Sequence, residues 1–383
     1  MAEWIQCTLG DLITFQRGHD LPKSQMQEGQ YPVVGSNGII GFHNKYTTDE
    51  PSITIGRSGN VGKPFIYYGK TWSHNTTLYV KDYKGNDPFF VFYLLKTIDL
   101  ANYAGGSAVP TLNRNHIHTL LIKVPTDIEV QRRIGNYLKL FDDKIELNNR
   151  INKNLEQQAQ AIFKSWFVDF EQFNGVQPQE MQFVPLQDLC KVVTKGTTPT
   201  TLGKPFTDSG INFIKAESIL DNHSIDSGKF AYIDEETNAM LKRSVIEAYD
   251  IVFTIAGTLG RFALVDESIL PANTNQAVAV IRPDITKISP TYLYSFFIGN
   301  WHNEYYSKRV QQAVQANLSL TTIKSLPIAV LNKKSMKQYD ELISPLFIMM
   351  KTNEEENRKL SKLRDTLLPK LMSGELDVSN IDL

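Results

Sequence analysis

WSHNTTLYV (72–80) and LPANTNQAVAV (270–280) read as two versions of one phrase, with Asn75 and Thr76 falling on Asn273 and Thr274 at an offset of 198 (273 − 75) in a chain of 383 residues. A protein with one reaction at one site has no need of both, and a repeat of this kind governs the fold if it extends along the chain. Three more blocks recur in the same order. TLGDLITFQRG (8–18) answers PLQDLCKVVTKG (185–196), and SITIGRSGNVGKPFIYY (52–68) answers IVFTIAGTLGRFALVDE (251–267). In the second of these, Gly59 and Gly62 meet Gly257 and Gly260, again at offset 198. LNRNHIHTLLIKVP (112–125) answers LSLTTIKSLPIAVL (318–331). The chain is a tandem duplication.

Each half closes on a helical pattern. Steps of four and three residues from Ile134 give Leu138, Phe141, Ile145, Asn148, Asn152, Leu155, Ala159, Ile162 and Trp166. The same steps at offset 205 run from Tyr339 through Ile343, Leu346, Met350, Asn353, Asn357, Leu360, Arg364 and Leu367 to Leu371. This is a coiled-coil seam with two consecutive polar layers in each strand. Seam asparagines reduce stability but select one register, because a slipped register leaves buried amides unpaired. Asn148 and Asn152 are therefore expected to face Asn353 and Asn357. Thr126 with Glu129, and Ser335 with Gln338, have capping-box spacing. Pro345 is expected to kink the second helix or mark its start. A helix over about 128–168 would be roughly 60 Å long.

The segments before the helices are short β-branched and aromatic runs broken by Gly, Asn, Asp and Pro. The expected fold is α/β: two globular domains of short strands alternating with two long helices packed as an antiparallel coiled coil, a pseudo-twofold tandem repeat. The expected divisions are 1–125, 126–180, 181–330 and 331–383.

No catalytic constellation is legible. GRSGNVGKP (56–64) fails the P-loop pattern, with Arg57 where a glycine is needed and Pro64 where Ser or Thr is needed, so its glycines are read as a turn. DPFF (87–90) lacks the second proline of an amino-methyltransferase motif. His116 and His118, two apart, would share one face of a strand and have no third ligand nearby. Cys7 and Cys190 can form neither a disulfide framework nor a zinc site. With no basic leader and no apolar run of 18 residues, the expectation is a cytoplasmic protein without membrane contact.

A net charge of −1, shared evenly between the halves, gives no global attraction to nucleic acid, so any phosphate contacts must be local or come from partners. Double-stranded DNA is nevertheless the ligand whose geometry best suits two spaced readers. Polar turns supply the candidate contacts: Ser36, Asn37, Arg57, Lys63, His74, Thr77, Lys195, Thr197, Thr198, Lys215, Arg261, Asn275 and Gln276. Asn and Gln suit adenine edges, and Arg suits guanine. Residues shared by both halves, Asn75, Thr76, Asn273 and Thr274, are candidates for framework or phosphate contact. Differing ones, His74 against Ala272 and Thr77 against Asn275, are candidates for base reading. A self-contained methyltransferase or nuclease with unrecognised motifs, and a duplicated protein-binding scaffold, are the alternatives from these residues alone.

YPVVGSNGIIGFHNKY (31–46), AIFKSWFVDFE (161–171) and TLLPKLMSGELDV (366–378) resemble the DNA specificity subunits of type I restriction and modification enzymes. The resemblance covers nearly the whole chain. It implies two target-recognition domains alternating with conserved helical regions, a bipartite DNA target, and a subunit that is not itself an enzyme and holds no cofactor or metal. It further implies two modification subunits that methylate adenine N6 with S-adenosylmethionine, and restriction subunits that use ATP and magnesium. Pro345 and Arg364 depart from an unbroken apolar seam.

Overall fold

The computed structural model describes residues 3–106, 110–299 and 317–378. It comprises two compact units, one of residues 1–149 with 354–383 and one of residues 150–353.

The first unit contains β1 (Trp4–Thr8), β2 (Thr14–Arg17), β3 (Tyr31–Gly35), β4 (Gly38–His43), β5 (Ser52–Gly56), β6 (Pro64–Tyr67), β7 (Trp72–Ser73), β8 (Thr77–Asp82), β9 (Ala104–Gly105), β10 (Thr111–Leu112) and β11 (Leu121–Pro125). An antiparallel sheet has the order β2-β8-β5-β6, and a second has the order β4-β3-β7 with β7 parallel to β3. β1 pairs antiparallel with β11. Every residue of β5 is buried, as suits an inner strand covered on both faces. Asp87 and Pro88 of the DPFF run begin a helix (Pro88–Thr97): the Asp87 carboxylate accepts from the Phe90 N–H at 2.9 Å, and Phe90–Leu95 are all buried. The core joins these to Ile134 and Leu138 and to Leu371, Met372 and Val378 from the far end of the chain.

The second unit repeats the plan with β12 (Gln182–Pro185), β13 (Cys190–Lys195), β14 (Ile211–Ile214), β15 (Ala231–Ile233), β16 (Ile251–Thr254), β17 (Phe262–Leu264), β18 (Ala272–Thr274), β19 (Val278–Pro283) and β20 (Pro327–Val330). Its sheets run β13-β19-β16-β17 and β15-β14-β18, with β18 parallel to β14, and β12 pairs with β20. Ser289 and Pro290 take the places of Asp87 and Pro88 at the start of a helix (Pro290–Ile298). Its core is aromatic: Tyr339 lies edge-on to Trp166 and Phe167 at 5.7 and 5.1 Å between centroids, and its hydroxyl donates to Ser295 at 2.8 Å.

Strand pairing aligns the repeats and corrects the match of Asn75-Thr76 with Asn273-Thr274. Gly62 donates to the Gly56 carbonyl as Gly260 does to that of Thr254, which fixes offset 198 for the glycine turns. Across the sheet, however, Gly56 faces Thr77 while Thr254 faces Val278, an offset of 201 (278 − 77). Arg57 and Ser58 both donate to the Thr76 carbonyl, and Ile255 and Ala256 both donate to that of Ala277. Thr76 therefore corresponds to Ala277, Asn75 to Gln276 and His74 to Asn275. The identical Asn-Thr letters are not identical positions.

The first long helix (Ile128–Phe167) and the second (Lys333–Ser373) each run through both units. In the first unit, fully buried Asn148 donates to Asn357 at 2.9 Å and to Glu356 at 2.8 Å, and Asn357 donates to Asn149 at 3.0 Å. In the second, Asn353 donates to Asn152 at 2.7 Å, and Asn152 to the Met350 carbonyl at 3.2 Å. In each unit the partners descend on one helix as they rise on the other, so the helix segments are antiparallel. The caps differ from the expected ones. Asp127 accepts from Glu129 N–H at 2.9 Å, and Asn332 from Ser335 N–H at 2.9 Å, whereas Thr126 is bonded to the Glu3 carbonyl. The second helix neither starts nor stops at Pro345. Arg364 holds its seam position by pairing with Asp142.

Candidate nucleic-acid interface

Ser36 and Asn37 are the two-residue turn of the β3–β4 hairpin, closed by the Gly35–Gly38 pair. Ser36 is buried and donates its N–H to the Thr76 hydroxyl at 3.3 Å, while Asn37 is exposed. That hydroxyl also meets His74 Nδ1 at 3.2 Å. Ser36, His74 and Thr76 are thus brought together at one edge. Thr77 is not available for base reading: it is buried, and its hydroxyl donates to the His74 carbonyl at 2.8 Å. Lys63 is exposed, with its ammonium 5.8 Å from the Phe65 ring centre.

In the second unit Asn273 and Thr274 have no exposed surface and cannot touch phosphate. The Asn273 amide donates to Asn238 and to the Leu241 carbonyl and accepts from Ser244, and the Thr274 hydroxyl donates to the Ile214 carbonyl. Each of these buried side chains has internal partners, as an uncompensated buried amide would be costly. Arg261 is taken up by a bidentate pair with Asp221 at 2.6 and 2.7 Å. Lys215 pairs with Glu217 at 2.8 Å, and that ammonium holds the Glu217 carboxyl below its ordinary range. Lys195 is exposed, its carbonyl and the Thr197 hydroxyl lie 3.3 and 3.5 Å from the Arg243 guanidinium, and Asn275 accepts from Ala277 N–H at 3.1 Å.

The register correction exposes a shared device that residue letters hide. Asn75 donates to the Asp20 carboxylate, and in the corresponding places Gln276 accepts from the Thr198 N–H and hydroxyl at 3.2 and 2.5 Å. In both units the amide before a central strand ties down the loop that follows the edge strand. That loop begins at Gly18 or Gly196, where a Cβ would sit 2.1 Å from the His74 carbonyl oxygen or 1.8 Å from that of Thr274. Only glycine allows the two backbones to approach so closely.

Sequence reasoning missed a recess of about 460 Å³ in the first unit, lined by Arg17, Arg57, Arg114 and His116 among others. Three segments bring it together. Arg17 ends β2, Arg57 follows β5, and Arg114 starts a short helix (Arg114–His118), so His116 and His118 are helical rather than on a strand. Leu112 N–H donates to the Arg57 carbonyl at 2.8 Å, and Phe15 N–H donates to His118 Nε2 at 3.0 Å, which fixes the helix on the sheet. Burial, with Arg114 and Lys84 nearby, holds the His118 pKa below its usual value, which keeps the ring in the neutral form able to accept. The one available signal was that Arg114 differs from its counterpart Leu320.

Among the described residues, no three His, Cys, Asp or Glu side chains are placed to hold a metal ion, and no helix is long and apolar enough to cross a membrane. Two strand-rich units of one plan, each with polar and basic loops, define a duplicated binding protein. Residues 1–157 and 178–361 match the family model described as Type I restriction modification DNA specificity domain, and the chain belongs to that family. It is 27% identical over 311 residues to the type I restriction enzyme MjaIX specificity subunit of Methanocaldococcus jannaschii, covering 76% of this chain and 70% of that one. It is 25% identical over 369 residues to the HindI specificity subunit of Haemophilus influenzae, covering 76% and 77%. The crystal structure of a type I restriction-modification S subunit from M. genitalium shares the fold, with a TM-score of 0.60 over 97% and 96% of the chains at 17% identity. The chain is a specificity subunit, a non-catalytic component of a type I restriction-modification system.

Proposed function

We propose that this subunit reads a bipartite target on double-stranded DNA, with residues 1–125 taking one half-site and 181–330 the other, and with 126–180 and 331–383 acting as helical spacers. The observation that carries the reading is register: two sheets of one topology place residues of different chemistry at corresponding loop positions, His74 against Asn275 and Asn75 against Gln276. A common frame with altered contact residues is what two readers of different sequences require. Exposed Asn37, Lys63 and Lys195 are available to DNA directly, whereas the Gln276 side-chain oxygen is held by Thr198, and Lys215 and Arg261 must first exchange an internal carboxylate. In this reading two modification subunits methylate adenine N6 with S-adenosylmethionine, and restriction subunits translocate and cut with ATP and magnesium. The complex works in the cytoplasm.

The test is to co-express the chain with its neighbouring modification subunit in a methylation-free host and map N6-methyladenine. A bipartite motif is expected, and exchange of residues 181–330 for those of a relative should alter one half only. Alteration of both halves, or a motif without a gap, overturns the division of labour.

A further inference from the structure

The arginine recess distinguishes the two units. Arg17, Arg57 and Arg114 line it, and no hydrogen bond or ion pair engages any of their guanidinium groups among the described residues. The other described arginines are engaged: Arg132 with Glu129, Arg243 with the Lys195 carbonyl, Arg261 with Asp221, Arg282 with Asp250 and Glu247, and Arg364 with Asp142. Arg133, Arg150 and Arg358 also have interactions of their own. The acid beside the recess is Asp20, whose carboxylate accepts from Asn75. Three like charges around one concavity repel one another, and among the described residues the nearby Asp20 is a single carboxylate against three guanidiniums.

The second unit does not repeat the arrangement. The established register puts Lys195 in place of Arg17 and Ile255 in place of Arg57. Leu112 and Leu318 donate to the Arg57 and Ile255 carbonyls respectively, so Leu320 stands for Arg114 and Thr322 for His116. Leu320 packs on the apolar core. At these three positions the second unit has one cation, Lys195, where the first has three.

We infer that Arg17, Arg57 and Arg114 form a seat for backbone phosphates of the DNA duplex, present among the described residues in the first unit alone, so that the half-site read by residues 1–125 supplies most of the electrostatic anchoring. The inference rests on the DNA-reading function proposed above. Phosphate rather than base is the assigned ligand because three arginines from three segments line one recess, whereas base edges are reached by side chains that protrude into a groove. A planar five-donor fork without an internal acceptor suits phosphate oxygens in bidentate fashion.

The experiment uses the subunit assembled with its modification partner and a duplex carrying the methylated motif, with affinity measured across a salt series. Each phosphate released from contact lowers the slope of log affinity against log salt by about 0.9, so R17Q/R57Q/R114Q is expected to flatten the slope by about 2 to 3 while the methylated motif is unchanged. R17K/R57K/R114K should retain most of the slope, and K195Q in the second unit should change it by at most about 1. Arg17 and Arg114 are exposed, so the single R17Q and R114Q variants remain measurable if the triple variant assembles poorly. An unchanged slope in variants that assemble overturns the phosphate seat. Relaxed sequence preference in the first half-site overturns it too, by assigning the arginines to bases. If the unaltered complex binds no duplex, the DNA-reading function itself falls, a result distinct from either.

Discussion

Replacing Asp142 with alanine tests how the helix pair is fastened to the first globule. Its carboxylate accepts from the Tyr93 hydroxyl at 2.7 Å, pairs with Arg364, and lies 3.7 Å from the Lys96 ammonium. The three charged side chains are 25%, 18% and 28% exposed. Burial already pushes the Lys96 pKa down and the Tyr93 pKa up, so the site is dry enough for charge balance to matter. Removing one partner of a fully buried pair costs about 3–5 kcal/mol; with a quarter of the site open to solvent, and counting the stranded tyrosine hydroxyl, about 3 kcal/mol is expected. Hydrogen exchange read on peptides covering 88–97 and 134–145 reports the opening of this unit separately from the other. At 1.36 kcal/mol per tenfold, protection there should fall by about 100-fold, with little change in 251–264. The double variant D142A/R364M should lose less than the sum of the single losses by about 1–2 kcal/mol. A coupling below about 0.5 kcal/mol would show that the pair is ornamental and that Arg364 is merely tolerated in the seam.

Three further expectations are simpler. Asn148→Leu should destabilise the first unit by about 1–2 kcal/mol in urea titration by leaving the Asn357 side-chain oxygen without its donor, and N148L/N357L should regain most of that loss. Gly196→Ala must displace the Thr274 carbonyl from 1.8 Å, so a loss of about 3 kcal/mol or poor soluble expression is expected, with Ser at the exposed turn position Asn37 as a neutral control. His118 has a folded pKa below its unfolded value near 6.5; its contribution is therefore fully present above pH 6.5 and is lost as pH falls through the folded value, and H118Q should remove that step from a plot of urea midpoint against pH between about 7.5 and 5.

The duplication, the order of globules and helices, and the seam asparagines were legible because they rest on periodic patterns and on repeats that survive substitution. The repeat alignment failed at its most persuasive point. NTT and NTN share letters, but strand register is set by backbone hydrogen bonds, which place Thr76 with Ala277. The caps lie one and three residues from the expected ones because Asp127 takes the Glu129 N–H that Thr126 would have capped, and Asn332 caps the Ser335 N–H a turn before the Ser335–Gln338 pair. Pro345 cost nothing in continuity, and Arg364 was explained only once Asp142, 222 residues away, came within reach. The recess was out of reach for the same reason: positions 17, 57 and 114 become neighbours only when β2, β5 and the helix after β10 are folded together.

The first unit is sewn from both ends of the chain: Leu371, Met372 and Val378 complete a core that begins with Leu9 and Leu12. During synthesis this reverses the usual order. The interval from residue 149 to 353 spans 204 residues (353 − 149), so at about 5–20 residues per second the nascent N-terminal globule waits on the order of 10–40 s for its last pieces. The other unit, contiguous from 150 to 353, has all its parts in hand before then. A premature stop near residue 354 would therefore damage the globule made first and spare the one made last, and in the interim the open face of the early globule is the surface a ribosome-bound chaperone would meet.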